Sequence, residues 1–100
     1  FTASDRIQGI STAQSHGFLH ALKEGDALSN FKEKFALLDN VVELNDLDGL
    51  RFTLDNSEVI HLRPSGNAPE LRCYVEAGSQ PRSRELLQTC LSKLVKLFST

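Results

Sequence analysis

Arg63-Pro64-Ser65-Gly66-Asn67-Ala68-Pro69 is the segment whose residue types could do chemistry. Arg63 offers a planar fork that meets a phosphate through two parallel hydrogen bonds. Gly66 can take backbone angles closed to other residues, which lets main-chain N–H groups turn toward one point. Ser65 and Asn67 add side-chain donors, and Pro64 and Pro69 stiffen the two ends. Converging donors around one fixed positive charge, with no acidic residue between Arg63 and Pro69, describe a cradle for a phosphate group. A proline-braced turn with a solvated arginine would use the same residue types, because Gly, Pro, Ser and Asn are turn formers in their own right. Spacing alone leaves both readings open.

The elements on either side must position this loop. Val59-Ile60-His61-Leu62 enters it as a strand, and Leu71-Arg72-Cys73-Tyr74-Val75-Glu76-Ala77 leaves it as another. Leu50, Phe52 and Leu54 alternate with Arg51, Thr53 and Asp55, the period of a half-buried strand. Asp55-Asn56-Ser57 supplies the turn that makes Val59–Leu62 its hairpin partner. Val41-Val42-Glu43-Leu44 forms a shorter strand that ends at the turn-rich Asn45-Asp46-Leu47-Asp48-Gly49. Ser11-Thr12-Ala13-Gln14 matches a capping box and starts a helix that runs to about Glu24, with Gly25 as its stop. Phe31, Phe35 and Leu38 suggest a second, shorter helix. Leu86, Leu87, Cys90, Leu91, Leu94, Val95 and Phe98 make one broad apolar stripe on a C-terminal helix. These elements predict an α+β fold: an antiparallel sheet of about four strands with helices packed on one face.

One hundred residues suffice for one small domain with a modest core. The net charge of −2 gives no general attraction for nucleic acid or an acidic membrane, so any bound anion needs a local site. No apolar run has the length of a membrane span. Cys73 and Cys90 are too few for a disulfide framework or a zinc pattern and read as buried, reduced thiols. The chain opens on Phe1 without a start methionine, as a segment of something longer would.

Other candidates are weaker. His16 and His20 lie four apart on one helical face, a metal-binding spacing, but without a third ligand they read as solvated. Asp46 and Asp48 supply two carboxylates and lack the remaining ligands of a Mg²⁺ or Ca²⁺ loop. Arg72 could extend the anion site, or strand alternation could point it away. Arg82 and Arg84 read as exposed charges near the start of the last helix.

Arg63-Pro64-Ser65-Gly66-Asn67-Ala68-Pro69, followed by the strand ending in Glu76-Ala77, closely resembles the phosphate-binding signature of the α-D-phosphohexomutase superfamily. Its usual form is R-P-S-G-T-E-P before a strand ending in E-A. Asp48-Gly49-Leu50-Arg51 resembles the D-G-hydrophobic-R segment upstream of that loop, and Ser4-Asp5-Arg6 the S-D-R segment where the family's last domain begins. The matches are collinear and span nearly the whole chain. Two positions depart from the usual form: Asn67 stands where threonine is common, and Ala68 where glutamate is common. Asn67 still offers a donor, whereas Ala68 removes a carboxylate. The Asn-Ala variant looks like one group of bacterial phosphomannomutases.

The resemblance implies that residues 1–100 are the last of four domains, with a fold related to the TATA-binding-protein family. It implies substrate-phosphate binding by Arg63, Ser65, Gly66 and Asn67, with the hexose phosphate and the other domains of the same chain as partners. The implied reaction interconverts hexose 1-phosphate and hexose 6-phosphate through a phosphoserine and a 1,6-bisphosphate. The catalytic serine and the Mg²⁺ loop would lie outside these residues, leaving no catalytic residue, metal or cofactor within them. The expected setting is cytoplasmic, with no nucleic-acid or membrane partner. A stand-alone, non-catalytic anion-binding or interaction module on the same fold is the alternative.

Overall fold

Strand alternation fixes which side chains meet. In the computed structural model, which describes residues 1–23, 41–64 and 69–98, Leu50, Phe52 and Leu54 are buried while Arg51 is exposed. They form β3 (Leu50–Leu54), which pairs with β2 (Val41–Asn45) on one side and β4 (Val59–Pro64) on the other. β4 pairs with β5 (Glu70–Glu76), and β5 with β1 (Thr2–Gln8). All four pairings are antiparallel, in the order β1-β5-β4-β3-β2. Among the described residues the sheet thus has five strands, one more than the apolar pattern suggests. The extra one is β1, an edge strand in which only Ala3 and Ile7 are partly buried, too little apolar surface to announce a strand.

Among the described residues, two helices cover one face. α1 (Thr12–Lys23) begins with the predicted capping box: Gln14 N–H donates to Ser11 Oγ at 3.1 Å, and Ser11 N–H to Gln14 Oε1 at 2.9 Å. The expected stop at Gly25 and the short helix around Phe31–Leu38 lie outside the described residues. α2 (Gln80–Phe98) starts at Ser79, whose Oγ accepts from Arg82 N–H at 3.2 Å, with Pro81 in the first turn, where a missing donor does no harm. Leu86, Leu87, Cys90 and Leu94 are buried in one cluster with Leu71, Cys73 and Val75 of β5 and Leu62 of β4. Val95 is 48% exposed, so the stripe is narrower than the spacing suggests. Phe18 and Phe98 close the helix layer with ring centroids 5.2 Å apart.

Cys73 and Cys90 are both buried and free. The Cys73 thiol, and then burial, push the Cys90 thiol well up, which keeps it protonated and unreactive. No helix among the described residues is long and apolar enough to cross a membrane.

Arg82 corrects the expectation of an exposed charge. Its Nε donates to Glu58 Oε2 at 2.7 Å and its NH2 to Glu58 Oε1 at 2.9 Å, a two-point grip on a carboxylate that is 6% exposed. The pair ties the turn before β4 to the first turn of α2.

Candidate functional site

β4 and β5 bring the two ends of the loop together. Arg63 pairs with Arg72 and Pro64 with Leu71, so the last residues before the loop lie beside the first residues of the next strand. Ser65, Gly66 and Asn67 lie outside the described residues, and the site is defined by what holds their flanks. At the exit, Ile10 N–H donates to the Pro69 carbonyl at 3.0 Å, which fastens the loop to the β1–α1 connection.

The entrance is braced by the Asp48-Gly49 turn. Asp48 Oδ1 lies 3.3 Å from Arg63 Nε, and the Asp48 carbonyl accepts a hydrogen bond from His61 Nε2. A carbonyl can only accept, so that imidazole nitrogen carries the proton. Gly49 makes the approach possible. Its φ is +67°, and a Cβ there would stand 2.3 Å from the Leu62 carbonyl oxygen. Only glycine lets the turn lie this close to β4. The Asp48–Arg63 pair is exposed on both sides, so its contribution to stability is small. Its effect is directional: a guanidinium held at Nε can still present its two terminal nitrogens to an anion.

The buried positions of β4 and β5 also decide where Arg72 points. Leu71, Cys73 and Val75 face the helices, and so do Ile60 and Leu62. Arg63 and Arg72 therefore project together from the other face, which no described helix covers. Arg6 is the register partner of Arg72 on β1, which puts three arginines abreast across β1, β5 and β4 at the loop end of the sheet. The sequence alone leaves Arg72 undecided and gives Arg6 no role in the site. Parity with Leu71 and Leu62 could have placed Arg72; Arg6 needed the pairing of β1.

Glu70 sits among them. Its Oε2 accepts from Arg72 Nε at 3.1 Å and its Oε1 lies 3.5 Å from Arg6 Nε, while the residue is only 9% exposed. The Tyr74 hydroxyl, and then the Glu70 carboxylate, hold the Arg72 guanidinium more firmly in its charged form. Ser4, Asp5, Arg6, Arg72 and Tyr74 line a depression of ≈ 300 Å³ on this face. A larger one of ≈ 530 Å³ lies under α1, lined by His16, Leu19, His20, Asp46, Gly49 and Pro64 among others. It offers imidazoles and apolar surface, whereas the open face offers guanidinium groups. An anion is better matched to the open face.

Among the described residues no group of three or more His, Cys, Asp or Glu is arranged to hold a metal ion. His16 and His20 are both exposed on α1.

A profile of the phosphoglucomutase/phosphomannomutase C-terminal domain matches residues 20–91. A phosphomannomutase of Salmonella muenchen is 41% identical over 98 residues, covering 94% of this chain and 20% of that protein. A phosphomannomutase of Sinorhizobium fredii (strain NBRC 101917 / NGR234) is 40% identical over 91 residues, covering 91% of this chain and 19% of that protein. A probable phosphoglucosamine mutase of Methanobrevibacter smithii is 29% identical over 58 residues, covering 58% of this chain and 13% of that protein. The chain thus spans about a fifth of the length of the first two relatives. With its antiparallel sheet backed by helices on one face, the chain belongs to the family of phosphoglucomutase/phosphomannomutase C-terminal domains.

Proposed function

We propose that this domain grips the non-reacting phosphate of a hexose phosphate for a phosphohexomutase, with a phosphomannomutase the best-supported kind. Arg63, Ser65, Gly66 and Asn67 are the assigned contacts, and Arg72 joins them from the facing strand. The observation that carries the reading is the juxtaposition of Arg63 and Arg72 at the root of the loop, with Arg63 braced by Asp48. A phosphate dianion accepts two charge-assisted forks from such a pair. Recognition by charge and shape suits a ligand whose phosphate stands at either end of the sugar.

In this reading the reacting end lies in domains outside these hundred residues. A phosphoserine there gives its phosphoryl group to a free sugar hydroxyl: a P–O bond to the sugar forms as the bond to serine breaks, and the hydroxyl proton leaves to a base. The 1,6-bisphosphate then turns over and returns its other phosphoryl group to the serine. Mg²⁺ is assigned to those domains, where it would supply charge neutralisation at the transferring group. The contribution of this domain is orientation, since energy from binding the remote phosphate positions the reacting end.

The test is Arg63→Ala in the full-length protein. KM for the hexose phosphate should rise and kcat fall together, about a hundredfold or more in kcat/KM, as expected for loss of a bidentate charge-assisted contact. Unchanged kinetics in a folded variant would sink the assignment.

A further inference from the structure

Glu70 poses an electrostatic problem. A carboxylate beside an anion site repels the anion, yet this one is 9% exposed and shared between two arginines on the face where the phosphate would bind. Charge balance alone does not account for the geometry. Both arginines approach Glu70 through Nε, as Arg63 approaches Asp48. Arg63 and Arg72, directly paired across β4 and β5, stand about 5 Å apart at Cα, so both side chains can reach one phosphate.

We propose that Glu70 is a positioning residue of the phosphate grip: it holds Arg72 at Nε and aims the terminal nitrogens at the anion that Arg63 binds. Arg6, on the other carboxylate oxygen, fixes Glu70 in turn. This rests on the phosphate-binding reading above. An unrestrained arginine loses rotamer freedom when it is immobilised on a ligand. A guanidinium ordered beforehand loses less on binding, which raises affinity without any new contact. Two unshielded guanidinium groups would also repel each other; Asp48 and Glu70 lower that repulsion from the sides away from the ligand.

The two roles of Glu70 differ in sign. If it acted only as a charge, removing it would tighten anion binding; if it positions Arg72, removing it loosens binding. Titration of the chain with inorganic phosphate, followed by amide and arginine Nε–H NMR shifts, separates them. Glu70→Gln is expected to weaken phosphate binding roughly five- to tenfold, and Arg72→Ala by a similar factor or more. On the Arg72→Ala background, Glu70→Gln should have no further effect, because the residue acts through Arg72. Equal or tighter binding by Glu70→Gln, or losses that simply add, would overturn the proposal. If Glu70→Gln does not fold, Arg72→Lys decides. Lysine keeps the charge without the fork and should bind as weakly as Arg72→Ala, so native affinity overturns the proposal. Arg63→Ala separates the two levels. A loss there beside a neutral Glu70→Gln removes only the role of Glu70, whereas no loss at Arg63 removes the phosphate reading itself.

Discussion

A methyl group at Gly49 would sit 2.3 Å from the Leu62 carbonyl oxygen, on a backbone held at φ +67°. Gly49→Ala must therefore move the turn off β4 or distort both. It should lower stability by about 2 kcal/mol or more, read from urea unfolding. Phosphate binding should weaken further than stability alone predicts, because Asp48 no longer meets Arg63. Ser15 is a second informative residue. Its Oγ is buried in α1 with no hydrogen-bond partner among the described residues. Ser15→Ala should raise the melting temperature, by a free energy of up to about 1 kcal/mol. A clear fall would reveal a partner for the hydroxyl.

The contact between Glu58 and Arg82 joins two elements, and its consequences belong at that scale. Hydrogen bonding from Arg82 outweighs the opposing effect of burial and holds the Glu58 carboxyl below its ordinary value. A carboxylate whose pKa is lowered by folding stabilises the fold above its unfolded pKa, and that stabilisation is lost as pH falls through the folded value. The stability difference between the native chain and Glu58→Gln should therefore be full at neutral pH and shrink below about pH 4.3. Melting curves from pH 7 to pH 3 test this. Arg82→Ala leaves Glu58 buried alone and should cost about 2 kcal/mol, less than a fully buried pair because Arg82 is 40% exposed. The sequence carried β2 to β5, α1 and α2 in its alternation, turn residues and capping box, because those signals are local. It did not carry β1, whose partly buried positions are Ala3 and Ile7 alone and whose strand character comes from pairing with β5. For the same reason Arg6 and Glu70 were invisible as site residues. They meet only through that pairing, while Arg63 was legible from its loop.

At the scale of the molecule, the sheet separates stability from binding. The helix-covered face holds the buried cluster of Leu50, Phe52, Ile60, Leu62, Leu71 and their partners on α1 and α2. The other face carries Arg6, Arg72 and Arg63 abreast, with Tyr74, His61 and Arg51 behind them. Substitutions on the arginine face should therefore change anion affinity while leaving the core intact, and core substitutions should do the reverse. The central claim, that this chain grips a phosphate at the β4–β5 loop, is tested most directly by its amide NMR spectrum. Titration with hexose 6-phosphate, with inorganic phosphate as the simpler probe, should shift residues 63 to 67 and Arg72 and leave α2 unmoved. No shift, or shifts centred away from that loop, would contradict the account.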